Sequence, residues 1–216
     1  MPDQAAEGRL NLVRASAVVA LPTPEGGYGQ SMELQFPDPP LVDGVVLLRP
    51  WTRDDLPFVV AACQDPEVSR YSPVIPFPYT EADAVGWFES QEPTRLAGKG
   101  LDFAVVCARG GNRLGAVGVK VNALLWSAEV GYWLAPQARG HGHVTSATRA
   151  VARWIFDELG LARLELTTDP DNLASQRVAE RCGFRREGHL RSHMLVRHSG
   201  QRRDSLVYGL LPGELT

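Results

Sequence analysis

Cysteine is scarce in this chain: Cys63, Cys107 and Cys182 are the only three among 216 residues, at scattered spacing. An odd, unpatterned trio excludes a disulfide framework and a cysteine-based zinc site, and it fits reduced thiols in a cytoplasmic setting. Cys182 falls on the apolar side of a helical pattern, which marks it as core filler rather than a nucleophile. Long apolar runs are missing as well, so no membrane span is expected. The short run Ala15–Leu21 follows Asp3 and Glu7, abuts Arg14 and lacks a convincing small-residue cleavage site, so it does not read as a leader. Nor is there an excess of positive charge. Lys+Arg number 22 against 25 Asp+Glu, a net charge of −3, which argues against a nucleic-acid partner. Internal repeats are absent, and the five histidines show no metal-ligand spacing, so no metal is expected.

What is present suits one globular domain with a real core: 44% of residues are hydrophobic and 22% charged. Residues 1–31 carry Pro22, Pro24, Gly26 and Gly27 and no sustained periodicity, which predicts a flexible extension ahead of a domain over 32–216. Val45–Arg49 reads as a strand. Thr52–Asp55 resembles a capping box, and Leu56, Val59, Val60 and Cys63 follow at helical spacing. Tyr71–Tyr79, with three prolines, is a loop, and Thr80 caps another helix. Strands are expected at Asp102–Cys107, Leu114–Val121, Ala128–Leu134 and Ala162–Thr168, with two more near His189–His198 and Ser205–Leu210. A helix over Val144–Leu159 buries Val144, Ala147, Val151, Ile155 and Leu159, and a shorter one ends at Gly183-Phe184.

The most informative stretch is Gln137-Ala138-Arg139-Gly140-His141-Gly142. It lies between an apolar strand and an amphipathic helix. Strand, Gly-bearing turn and helix start in that order form an anion cradle: Gly140 and Gly142 admit a close backbone approach, and the helix presents free N–H groups and its positive dipole end. Arg139 adds a permanent charge. The stretch has neither the Gly-Lys-Ser/Thr of a nucleotide-hydrolysing loop nor the third glycine of a dinucleotide fold.

The ordered pieces Glu129–Leu134, Gln137–Gly142, Asn172-x-x-Ser175 and Ala179–Phe184 together resemble the GNAT superfamily of acetyl-CoA-dependent N-acyltransferases. The similarity is greatest to the branch with the ribosomal-protein N-terminal acetyltransferases. The resemblance implies an α/β (α+β) GNAT fold, a mixed, mostly antiparallel central sheet flanked by helices. It implies acetyl-CoA as co-substrate, held by Gln137, Ala138, Arg139, Gly140, His141, Gly142 and His143 at its pyrophosphate. The backbone of Tyr132, Trp133 and Leu134 would pair with the pantetheine amides, and Asn172 would bond the cofactor arm. The acceptor would be a primary amine, on a protein N-terminus or a small molecule, and a homodimer is compatible with the pattern.

Acetyl transfer needs a neutral amine near the thioester, donors for the developing oxyanion and a proton for the leaving thiolate. Glu129, the one carboxylate in Ala128–Leu134, is the candidate base. Its apolar neighbours suggest a raised pKa, and the alternative is a strand-edge glutamate facing solvent. Many relatives carry a tyrosine seven positions after the asparagine as acid toward the thiolate. This chain has Ala179 there, which leaves Ser175 as the candidate donor to the sulfur. That substitution also keeps open a non-catalytic acyl-CoA-binding module.

Overall fold

The computed structural model describes residues 33–196 and 199–216. The expected extension at 1–31 therefore lies outside the described residues, as does His198. Strands β1 (Leu41–Asp43) and β2 (Val46–Pro50) lead into helices α1 (Leu56–Cys63), α2 (Pro66–Tyr71) and α3 (Glu81–Leu96). Strands β3 (Gly100–Cys107), β4 (Arg113–Asn122) and β5 (Ser127–Leu134) follow, then α4 (His143–Asp157), β6 (Arg163–Thr168), α5 (Leu173–Arg181), β7 (Arg185–Val196) and β8 (Gln201–Leu210). The eight strands form one sheet in the order β1-β2-β3-β4-β5-β6-β8-β7. Every pairing is antiparallel except β5 with β6, which α4 joins as a crossover. This is the mixed, mostly antiparallel sheet expected.

Period-2 alternation sends the residues of each central strand to two different cores. Leu101, Phe103, Val105, Val117, Val119, Ala128 and Val130 join the buried faces of α4 and α5. Helix α4 earns its place there through Ala147, Val151, Trp154 and Ile155, all nearly or fully buried, with Trp154 set edge-on to Phe103 at 5.7 Å. On the other face Trp133 packs with α1 and α3 in a smaller cluster that includes Trp51, Phe58, Val59 and Trp87. The entry to α1 is fixed by Asp55, which is fully buried and paired with Arg49 at 2.7 Å and with Arg113, while also accepting the Thr52 N–H. Burial opposes its charge, but the two guanidiniums outweigh that and hold its pKa well below the usual carboxylate range.

Candidate active site

Strands β5 and β6 pair at Ser127–Arg163, Ala128–Leu164 and Glu129–Glu165 and then part. Beyond that point Val130–Leu134 faces β6 across a gap, although β6 continues to Thr168. A strand edge left unpaired inside a sheet is a template for another extended chain. The gap opens directly onto the turn that follows β5.

That turn begins with a short 3-10 turn at Pro136–Ala138 and ends at α4. Gly140 and Gly142 both take φ +79°, a left-handed conformation that accounts for glycine at each. A Cβ at either would meet nothing within 4 Å, so the space above them is open. Gly142 is the N-cap of α4, no side chain caps it, and no acidic residue stands in the first turn. The helical ladder starts with Ser146 N–H to Gly142 C=O at 3.0 Å, which leaves the first N–H groups of α4 pointing into that space. Three features thus coincide: open space, free donors and the positive end of a fifteen-residue helix.

The side chains of the turn are mostly spent on holding it. Arg139 donates twice to the Leu134 carbonyl, at 3.1 and 3.0 Å, and pairs with Asp65 at 2.7 Å. Its charge is tied back to β5 and α2, away from the role of a free anion ligand. His143 donates from Nδ1 to the Ala138 carbonyl at 3.0 Å and stacks on His141 at 5.5 Å. Gln137 is exposed and Ala138 is buried. Trp133 turns its ring away from the gap into the aromatic cluster, stacked with Trp51 and Phe58, so only its backbone faces the gap. Asn172 caps α5, accepting the Ser175 N–H at 3.1 Å through Oδ1.

Tyr132 and Ser175 meet across the gap, their hydroxyl oxygens 2.8 Å apart. Tyr132 belongs to the main core with Ala179, and burial pushes its phenol well above the ordinary range, so the group remains protonated. A phenol from β5 thus meets the first turn of α5, the helix that carries Ala179. Sequence reasoning assigned Tyr132 a backbone role and missed its hydroxyl, because only the fold brings β5 and α5 together.

Glu129 lies on the opposite face from Ala128 and Val130. The pleat turns it outward, exposed, in register with Lys120 on β4 and Glu165 on β6. Its apolar neighbours in sequence are thus not neighbours in space. A second carboxylate on that face is Asp102 of β3, half-buried within what the sequence reads as an ordinary strand. Its isolation in Gly100–Cys107 was the available signal.

Beside the gap, at the C-terminal end of β6, lies an open cleft of about 400 Å³. Its walls are Arg70 and Tyr71 of α2, Asp169 and Asp171 of the loop before Asn172, and Arg203 and Asp204 of β8. Arg203 donates to the Arg70 carbonyl at 2.6 Å and approaches Asp169 at 3.5 Å, and Asp204 accepts from His189 and the Ser192 N–H at 2.8 Å each. No group of three or more potential metal ligands occurs among the described residues, and no helix there is long and apolar enough to cross a membrane.

Residues 46–185 match the family described as an acetyltransferase (GNAT) domain. The putative ribosomal N-acetyltransferase YdaF of Bacillus subtilis (strain 168) is 38% identical over 87 residues, 40% of this chain and 46% of YdaF, so the chain spans about half of that relative's length. The uncharacterized N-acetyltransferase p20 of Bacillus licheniformis is 25% identical over 168 residues, 77% of this chain and 93% of p20. Among solved structures, Mycobacterium smegmatis RimJ in complex with CoA-disulfide matches with a TM-score of 0.71 at 25% identity, covering 81% of this chain and 87% of RimJ. With a family match across more than half of its length and the sheet described above, this chain belongs to the acetyltransferase (GNAT) family.

Proposed function

We propose that this protein transfers an acetyl group from acetyl-CoA to a primary amine, on a protein N-terminus or a small molecule, in the cytoplasm. The observation that carries the reading is the β5–β6 gap opening onto the uncapped N-terminus of α4. The backbone N–H groups from Gly140 to His143 bind the pyrophosphate, and the open space above both glycines fits that role. The unpaired edge of β5, including Tyr132, Trp133 and Leu134, lines the pantetheine arm, while the Asn172 amide N–H₂ is free to donate to it once Oδ1 has capped α5. Arg139, bonded to Leu134 and Asp65, positions the turn from behind.

When bound, acetyl-CoA supplies an activated acyl group, and the rest of the chemistry is positioning and proton handling. Ser175, held by Tyr132, donates a hydrogen bond to the departing sulfur. Glu129, on the acceptor face and open to water, helps to remove the amine's proton. The charged cleft at Arg70, Asp171 and Arg203 is the acceptor's entrance, and its volume suits a small amine or the first residues of a chain, not a folded surface. The reduced thiols, Cys63 and Cys182 buried and Cys107 partly so, support the cytoplasmic setting.

A screen of small amines and short N-terminal peptides, reading coenzyme A thiol release, tests the proposal. Thiol release matched one-for-one by acetylated amine is the expected result. Acetyl-CoA binding with no turnover on any acceptor would instead favour an acyl-CoA-binding module.

A further inference from the structure

Asp102 sits in β3 directly across from Gly118 of β4, and Gly118 is directly across from Gly131 of β5. All three face the acceptor side of the sheet. A Cβ at Gly118 would collide with the Asp102 carboxylate, so the acid lies over this glycine and occupies the place of its missing side chain. At Gly131 a Cβ would meet nothing within 4 Å, and the residue is exposed. The row is therefore a trough in the sheet face. Asp102 forms its closed end, and the other end reaches the unpaired half of β5 beside the gap. Neighbouring strands lie about 4.8 Å apart, so the carboxylate over Gly118 is separated from the Gly131 backbone by roughly the width of one amine or one water.

The groups around Asp102 are few. Lys120 is offset by one row on β4, the Gln91 side chain reaches down from α3, and Glu129 lies beyond Lys120 on β5. Burial dominates over the help from Gln91 and Lys120 and pushes the Asp102 carboxyl up to about 6. Asp102 is half-buried and has no guanidinium partner, so its charge is less well compensated than that of Asp55 with its two arginines. Together with its place over Gly118 at the end of an open trough, this makes Asp102 a candidate functional group.

We propose that Asp102 is the second carboxylate of the acceptor site: it receives the acceptor's ammonium group in the Gly118–Gly131 trough and accepts its proton as the amine attacks. The N–H bond breaks, the proton passes to the Asp102 oxygen, and the nitrogen lone pair becomes free to form the new amide bond. Glu129, on the same face and exposed, then exchanges that proton with water. The inference rests on the proposed acetyl transfer and adds to it a residue and a place for the amine.

The experiment compares the parent chain with Asp102→Asn and Gly131→Ala, using the best amine from the screen. Parental kcat/KM for the amine should rise through about pH 6. Asp102→Asn should lower it at least tenfold and abolish that limb, while acetyl-CoA affinity stays parental and the melting temperature at pH 8 does not fall. Gly131→Ala, whose added methyl fills open trough space without touching protein, should lower kcat/KM severalfold in a variant that keeps the parental fold. Parental rates and an unchanged acid limb in Asp102→Asn would overturn the inference while leaving acetyl transfer standing. A parent that releases no thiol with any amine would overturn acetyl transfer and this inference together.

Discussion

Three acidic side chains, Asp55 at the entry to α1 and Asp102 and Glu129 in the sheet, show how little residue type decides without its surroundings. Asp55 is fully buried, but two arginines and a backbone N–H keep it charged. Asp102 is pushed toward neutrality because burial exceeds the help from Gln91 and Lys120. Glu129, flanked by apolar residues in sequence, is exposed because the pleat sends them to the other face. Asp102 makes a stability prediction of definite sign. Its folded pKa, about 6, lies above the ordinary 3.8, so between these values the folded state binds more protons and stability falls as pH rises. The full difference amounts to at most about 3 kcal/mol. Denaturant titrations from pH 4 to 8 should show Asp102→Asn gaining on the parent through this window and holding the gain above it. A gap between the two that does not change with pH would show that Asp102 titrates normally. Glu129→Gln removes the relay to water and not the first proton acceptor, so it should lower kcat severalfold, less than Asp102→Asn does, and keep the acid limb that Asp102 sets. A near-parental kcat would make Glu129 a solvent-facing strand residue.

At the scale of elements, α4 carries both the core and the cradle. Ile155 is fully buried in its central stripe, so Ile155→Ala should cost about 2–5 kcal/mol in chemical denaturation. A loss under 1 kcal/mol would mean that α4 is loosely seated. This helix was legible because its apolar period is strong: the expected Val144–Leu159 differs from His143–Asp157 only at the frayed ends. Helix α2 was not read as such. Its six residues, Pro66–Tyr71, give too short a pattern, and what fixes them is the preceding Asp65 cap accepting the Glu67 N–H and, beyond it, the ion pair with Arg139. Strand β7 begins at Arg185, well before the expected His189, because it is a sheet edge whose exposed residues need no alternation. The cradle's backbone could be read from two glycines before a helix, whereas the engagement of Arg139 could not, since its partner stands 74 residues earlier in the chain.

For the whole molecule, the proposed function depends on where the sheet fails to close. One crossover makes β5 and β6 parallel, their pairing stops after three residues, and the opening is framed by the cradle, the Tyr132–Ser175 pair, the Asp102 trough and the charged cleft. Sequence motifs identified the family and pointed to the turn and helix start proposed here as the cofactor cradle. The proposed acceptor side is assembled from β3, β4, β8 and α2, segments far apart in the chain and free of any local motif, and so it is legible only in three dimensions.

The most direct test of the account is acetyl-CoA binding at the cradle, measured by titration calorimetry on the parent, Gly142→Asn and Gly142→Asp. Asparagine and aspartate both tolerate the left-handed conformation at φ +79°, and both find open space there, so the two variants share the same backbone strain and differ only in charge. The account predicts that Gly142→Asn keeps most of the parental affinity and that Gly142→Asp binds at least tenfold more weakly than Gly142→Asn. Equal affinities in two folded variants would contradict a pyrophosphate bound at the N-terminus of α4.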